Sequence, residues 1–149
     1  MIFSGSLSLS QQEKGQKNYK RFNLINGLSY MCLGETVIIL FALQLNCQPY
    51  IIAALSAFLY LGNFAMPIGK ATAARIGGAK SISLYWTLRN VSAMLVASAY
   101  FFSDMHAIAV SMIVVGTFIF YSCRSAGTVI MQPLCGEICT ENVRGKFLA

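Results

Sequence analysis

Four continuous apolar runs constrain this chain more than any other feature of its sequence. They cover about residues 23–45, 50–68, 82–102 and 107–134. Each run is about 19–28 residues long, enough to cross a hydrocarbon core of about 30 Å as a helix. The strict alternation that membrane β-strands require is missing from them. Backbone groups in lipid must pair internally, so the sequence predicts an all-α membrane protein with four transmembrane helices.

Composition favours the same class of protein. The chain is 56% hydrophobic and only 11% charged, whereas soluble domains carry roughly 25% charged residues. A soluble core cannot hide this much apolar surface, because a small domain leaves much of its surface in water. The net charge of +6 is not arranged as a basic stripe with interleaved aromatic residues. We therefore expect a lipid bilayer as partner, and no nucleic acid.

Basic residues predict the orientation of the spans. Of the eleven Lys and Arg residues, nine lie before the first run, between the second and third, or after the fourth, and none lies in the other two linkers. Cytosolic loops are enriched in Lys and Arg, so both termini and the middle loop are predicted to be cytosolic. We expect a cytosolic basic segment over residues 1–22 and a membrane domain over 23–149, inserted in the inner or plasma membrane.

Three ionisable residues, Glu35, Arg89 and Arg124, stand inside the runs. A charge in the bilayer core costs about 3 kcal/mol or more, so such residues usually pair or face a cavity. Glu35 is a candidate proton carrier or substrate contact, or else a carboxylate held by a structural partner. We expect it to pair with Arg124, which reaches a similar depth from the opposite direction. Arg89 either contributes to proton coupling or substrate binding, or snorkels to the cytosolic headgroups.

Small residues recur along the runs and predict close helix packing. They are Gly27, Gly34, Gly62, Ser92, Ser98, Gly116 and Gly127. The five cysteines lack the spacing of a zinc site and are expected to be small buried side chains, so neither a metal nor another cofactor is predicted. The sequence contains no phosphate loop and no nucleophile–base pair, which argues against an enzyme.

The tail after the fourth run carries the most specific motif, PLCGEICTENVRGKF. In it Glu137 is followed by six residues and then by Arg144 and Gly145. This resembles the end of the fourth helix and the next cytosolic loop of major facilitator superfamily transporters, especially sugar-porter-like and organic-ion-porter-like members. In that family such pairs latch the cytosolic gate in the outward-facing state. The resemblance implies this role for Glu137, Arg144 and Gly145.

Two further motifs are similar to the same superfamily. Arg124-Ser-Ala-Gly127 resembles an Arg-x-x-Gly element of the fourth helix, where the arginine is tied to proton coupling near an acidic residue of the first helix, a place that Glu35 fits. The segment GKATAARIGGAK, with Arg75 and Gly77, resembles the gate loop between helices two and three. Alanine stands where that loop has an aspartate.

The resemblance spans about residues 20–149 and implies the first part of a twelve-helix secondary transporter. It implies a small-molecule substrate, a coupled proton, and the remaining helices of the transporter as partners of a truncated fragment. Two alternatives stay open. One is a complete four-helix dimeric drug/proton antiporter resembling small multidrug resistance proteins, and the other is a structural membrane protein without transport activity.

Overall fold

The computed structural model describes residues 8–32 and 34–138, and within these ranges it contains helices and no strand. Two short 3-10 segments cover Gly62–Ala65 and Ala99–Phe102. The predicted all-α class is confirmed for the part of the chain that is described. The α-helices are α1 (Leu9–Cys32), α2 (Glu35–Gln44), α3 (Pro49–Leu61), α4 (Met66–Ile76), α5 (Gly78–Ser98) and α6 (His106–Ile138).

Two helical stretches are long and apolar enough to cross a membrane. They are Pro49–Ile76, with 28 residues, and His106–Gly136, with 31 residues. These stretches contain the second and fourth predicted runs. The first run is divided between two helices, of which α2 has only 10 residues, and the third contains polar residues such as Arg89 and Asn90. The first and third spans therefore stay predictions.

The first run is interrupted at Gly34. This residue has an extended backbone, with φ −63° and ψ 163°, and α2 begins at the next residue, Glu35. One uninterrupted helix over residues 23–45 was expected, and that expectation is wrong. The preceding helix begins at Leu9, so residues 9–22 of the predicted basic segment continue directly into the first apolar run.

The basic loop predicted between the second and third runs is mostly helix. Pro67 lies in the first turn of α4, where its missing N–H leaves no hydrogen bond unmade. The helix continues to Ile76, and only Gly77 separates it from α5. Gly77 has φ 89°, a left-handed value that L side chains rarely adopt. Glycine at this position allows the chain to turn within a single residue.

Helix α6 is the central element and contacts α3, α4, α5 and both 3-10 segments. Its backbone approaches Gly62 and Gly69 closely, and we call this contact the glycine seam. A Cβ at Gly62 would lie 2.8 Å from the Tyr121 carbonyl carbon, and a Cβ at Gly69 would overlap the Ala126 carbonyl oxygen. The two glycines are seven residues apart, which puts them on one face of the helical stretch.

Close packing at glycines extends to the α5–α6 contact. A Cβ at Gly116 would lie 2.7 Å from Val96, and one at Gly127 would lie 2.8 Å from Trp86. The packing prediction is thus confirmed at Gly62, Gly116 and Gly127. It is wrong at Gly27, where no atom lies within 4 Å of an added Cβ.

Two linkers hold no Lys or Arg: the one between the first and second runs and the one between the third and fourth. They meet at one end of the bundle. His106 Nε2 lies 3.0 Å from the Leu45 carbonyl oxygen, which joins the start of α6 to the turn between α2 and α3. At another contact, Gln16 Nε2 donates to the Ile138 carbonyl at 3.2 Å, and Tyr19 packs on Ile138. The beginning of α1 therefore packs against the end of α6.

Candidate functional site

Arg89 is buried inside the helical bundle and only 3% exposed. It lies near the middle of the stretch from Gly78 to Phe102, about 17 Å from its start. There the guanidinium donates to the Asn26 side-chain oxygen at 2.6 Å and to that of Asn90 at 3.4 Å. Snorkelling of Arg89 was one expectation, and it is wrong because an amide of α1 solvates the guanidinium within the bundle.

Aromatic rings cover the guanidinium of Arg89. Its central carbon lies 4.6 Å from the centre of the Trp86 ring and 5.5 Å from that of Phe120. A cation over an aromatic face gains about 0.5–1 kcal/mol when exposed and about 2 or more when desolvated. Phe22 of α1 stacks on Trp86, with ring centres 5.7 Å apart and planes 12° from parallel. Helices α1, α5 and α6 thus all contribute to the environment of this charge.

A cavity of about 130 Å³ opens beside Arg89, between α1 and α5. At about 30 Å³ for a water molecule, this volume holds roughly four waters or a small organic group. Aromatic and amide side chains form its wall, with one cation among them. We call it the α1–α5 cavity, and it is lined by Phe22, Ile25, Asn26, Trp86, Arg89 and Asn90.

The Trp86 indole N–H is buried and has no hydrogen-bond acceptor among the described residues. The benzo edge of its ring packs against Gly127 of α6. The pyrrole nitrogen lies across the ring from that edge. A buried donor without an acceptor costs about 1–3 kcal/mol, so its presence calls for an explanation.

Arg124 lies one turn after Phe120 on the same face of α6. It is close enough to Arg89 for the two positive charges to repel each other. Arg124 also lines a separate groove of about 220 Å³, in which the Ser125 hydroxyl donates to the Asn63 side-chain oxygen at 3.0 Å. The arrangement places two cations and several amides within the apolar helices.

Glu35 is half-buried at the first position of α2, directly after the extended Gly34. A carboxylate there interacts favourably with the positive end of the helix dipole. Glu35 is thus placed at a break between two helices, and its predicted pairing with Arg124 stays a prediction.

The predicted gate residues are described only in part. Arg75 is exposed in the last turn of α4, and Gly77 forms the turn into α5. Glu137 belongs to the last turn of α6, while Arg144 and Gly145 lie outside the described residues. The latch between them stays a prediction.

Sequence reasoning singled out Arg89 but did not connect it to Asn26 or Trp86. A signal for Trp86 was present, because residues three apart on a helix share a face and the only tryptophan of the chain precedes Arg89 by that spacing. Asn26 was visible as a polar interruption of the first run. Its partner is 63 positions away and is set by tertiary packing alone.

Family models, curated proteins and solved structures were compared with the chain, and none of them matches it.

Proposed function

We propose that this chain is an integral membrane protein with four spans that serves in secondary transport of a small molecule, coupled to protons. The observation that supports this best is Arg89, a cation buried at the middle of an apolar helix beside a cavity. Intramembrane charges are costly, and those that persist usually mark substrate or proton pathways. As the resemblance implies, the chain supplies the first part of a larger transporter and acts with its remaining helices.

The exposed surface of the bundle supports membrane insertion. In the most apolar window of Pro49–Ile76, only 11% of the residues are buried, so this stretch is not the covered core helix of a soluble protein. Phe64 is 80% exposed and Phe101 is 82% exposed. Apolar surface on this scale is stable in contact with lipid or further helices, and a soluble monomer rarely shows it.

The first and third spans of the proposal are α1–α2 and α5 with its 3-10 extension. A break in the first helix is compatible with spanning, because irregular backbone is tolerated in membranes where it is buried in protein or lines a cavity. Transporter sites are commonly formed by such discontinuous helices. Glu35 lies directly at the break, which suits a residue that exchanges a proton with a substrate pathway.

Orientation and location complete the proposal. The positive-inside rule puts the start of α1 and the Gly77 turn in the cytosol, at the inner or plasma membrane. The linkers between the first and second runs and between the third and fourth runs meet at Leu45 and His106. This contact fits four spans that run in alternating directions, which would bring both linkers to the same side of the membrane. Arg75 and Glu137 then belong to cytosolic helix ends, where charge-assisted bonds can form a gate.

Proton flux in proteoliposomes tests the transport proposal. The chain, reconstituted with the product of any sequence that continues it, is sealed in vesicles with a pH-sensitive dye. Panels of organic acids, sugars and lipophilic cations are then added outside. We expect at least one compound to drive proton movement, and Glu35→Gln to abolish that movement while the protein stays in the membrane.

Other outcomes separate the alternatives. Proton movement driven by tetraphenylphosphonium with the 149-residue chain alone would favour the four-helix drug antiporter and overturn the fragment proposal. Absence of flux with every compound, together with identical behaviour of Glu35→Gln, would favour a structural membrane protein.

A further inference from the structure

We infer that one face of α1 binds an anionic phospholipid, with the lipid phosphate on Lys14, Lys17 and Arg21. All three side chains are exposed, and residues three, four and seven positions apart on a helix share one face. We call these three residues the basic face. The inference goes beyond transport and requires only that the chain is inserted in a membrane, as the proposed function states.

The side of α1 that carries no part of the basic face is packed against the end of α6. The Gln16 side-chain amide donates to the Ile138 carbonyl at 3.2 Å, and Tyr19 packs on Ile138. A Cβ at Gly15 would lie 3.2 Å from the Ile138 side chain. With 3.6 residues per turn, these contacts lie on the opposite side of the helix from the basic face. The basic face therefore points away from α6.

The contact with Ile138 also sets the depth of the basic face in the proposed membrane. Ile138 lies four residues beyond the end of the fourth run at residue 134, which is about 6 Å along a helix. A bilayer is about 30 Å thick in its hydrocarbon core and about 40–45 Å with headgroups, so each headgroup layer is about 5–8 Å thick. Gly15 and Lys14 are thus level with the headgroups. Arg21 is about 9 Å deeper than Gly15, and long basic side chains reach back to headgroups from such positions.

The same side of α1 becomes apolar directly after Arg21. Leu24 and Ile25 lie three and four residues further along the helix and are 78% and 69% exposed. A phospholipid has the same order, because its charged headgroup is followed by acyl chains. With the phosphate on the basic face, one acyl chain would lie along Leu24 and Ile25. A free phosphate has no group for this apolar surface, so we assign the face to a lipid and not to a soluble anion.

The charge of this part of α1 favours an anionic lipid over a zwitterionic one. Each Lys or Arg near an anionic membrane surface strengthens the association about fivefold, so three of them together predict a preference of up to about a hundredfold. Glu13 is the only acidic residue between positions 8 and 32. It is exposed one turn before Lys17, where its negative charge reduces this preference.

Native mass spectrometry tests the inference by counting the lipids that the protein retains. The full chain is purified in detergent and mixed with equal amounts of phosphatidylglycerol and phosphatidylcholine that have the same acyl chains. We expect phosphatidylglycerol to be retained preferentially, and this preference to fall at least about tenfold when all three residues of the basic face are replaced by glutamine. The matched control removes three other exposed cations and should keep the preference: Lys70→Gln, Arg75→Gln and Lys80→Gln.

Two single variants separate lipid binding from folding. Lys17→Gln alone should weaken the binding of phosphatidylglycerol about fivefold, and it serves as an independent test if the triple variant does not fold. Glu13→Gln removes the negative charge beside the basic face, so it should strengthen the binding of phosphatidylglycerol severalfold. Loss of structure cannot produce such a gain.

Several results would overturn the inference. Equal retention of the two lipids would do so, as would equal losses in the two triple variants, because charge would then act without a specific face. Displacement of phosphatidylglycerol by inorganic phosphate at constant ionic strength would assign the face to a soluble anion. A dimer that is lost only in the basic-face variant would assign it to a second copy of the chain. Proton flux in proteoliposomes that persists despite equal retention of the two lipids would contradict the lipid surface alone and leave the transport proposal intact.

Discussion

Two helix contacts of the bundle differ in how closely the helices approach each other. At the glycine seam, α3 and α4 come so near that Gly62 and Gly69 have no room for a Cβ against the α6 backbone. On the side where α1 meets α5, bulky polar and aromatic side chains keep the helices apart, and a cavity remains between them. The seam joins backbone to backbone, whereas the α1–α5 contact joins Asn26 to Arg89 through a side-chain hydrogen bond.

This difference separates the scaffold from the site. In membranes, where apolar contact with lipid and with protein are nearly equivalent, small residues stabilise helix pairs through close van der Waals packing. The seam provides that packing. The α1–α5 contact depends instead on a hydrogen bond and a ring contact between side chains. Substitutions at the seam should therefore act on folding, and those near the cavity on the environment of Trp86.

The largest effect is expected at Gly69. A valine there would place its Cβ against the Ala126 backbone, which cannot yield as a side chain can. We expect Gly69→Val to lower the free energy of unfolding by at least about 3 kcal/mol, the upper end for overpacking. Unfolding in mixed detergent micelles, followed by helical circular dichroism, measures it.

Gly27→Val is the matched control. The same side chain is added to another helical glycine, but no atom lies within 4 Å of its Cβ. Its effect should stay within about 0.5 kcal/mol, as for most surface substitutions. Equal losses at Gly27 and Gly69 would contradict the seam as the main packing contact.

The next effect is expected at Gly127, which connects α6 to the site. Gly127→Ala would place its Cβ 2.8 Å from the Trp86 ring, and the ring must shift. We expect a cost of about 1–3 kcal/mol together with a change in Trp86 emission. Gly116→Ala, which meets the Val96 side chain instead, should destabilise without that spectral change. An unchanged emission in Gly127→Ala would contradict the described position of Trp86.

A smaller effect is expected for the hydrogen bond between Ser125 and Asn63, which lies next to the seam. Hydrogen bonds between membrane helices contribute about 0.6 kcal/mol on average. Ser125→Ala should therefore lower the free energy of unfolding by about 0.5–1 kcal/mol. A double-mutant cycle with Asn63→Ala should give a coupling of the same size, and a coupling of zero would show that the bond is not formed.

The smallest effect concerns Cys47, in the turn between α2 and α3. Burial raises the pKa of the Cys47 thiol above its usual 9.0. The folded state therefore favours the neutral thiol of Cys47. The contribution of this thiol to folding stability is complete below its pKa in the unfolded chain, and it is lost as pH rises through its pKa in the folded chain. With the other four cysteines replaced by alanine, maleimide should label Cys47 slowly near pH 7 and faster in alkali.

An exposed cysteine is the reference for that measurement. Ser103 lies in the linker before α6, at the same end of the bundle as Cys47. We expect Ser103→Cys to react with maleimide at the rate of a free thiol. If Cys47 reacts as fast as the reference at pH 7, the thiol is not buried.

Hydrophobicity predicted the helical class and the two long apolar helical stretches, Pro49–Ile76 and His106–Gly136, because lipid requires long apolar helices. The small residues of the runs also led correctly to close packing at Gly62, Gly116 and Gly127. Gly69 was missed because the basic residues around it were assigned to a loop, although α4 continues to Ile76. Charge marks the cytosolic side of a span but does not end a helix.

The candidate site was predictable only as single residues. Arg89 was evident as a charge in an apolar run, but burial by Phe120 and Asn26 depends on how three helices pack. The break at Gly34 was also missed, because a glycine within an apolar run is compatible with a continuous helix or with an interrupted one. Tertiary contacts decide whether such a helix is continuous or interrupted, and the local sequence does not reveal them.

Accessibility of two positions tests the central claim, a membrane protein with four spans, most directly. Arg75→Cys and Asp104→Cys, both at exposed positions, are made separately in a chain without other cysteines and labelled in intact cells with an impermeant maleimide. Four spans put these positions on opposite sides, so we predict labelling at position 104 and protection at position 75 until the membrane is opened. Labelling of both from the same side would contradict the claim, because a chain with only Pro49–Ile76 and His106–Gly136 in the membrane puts both positions on one side.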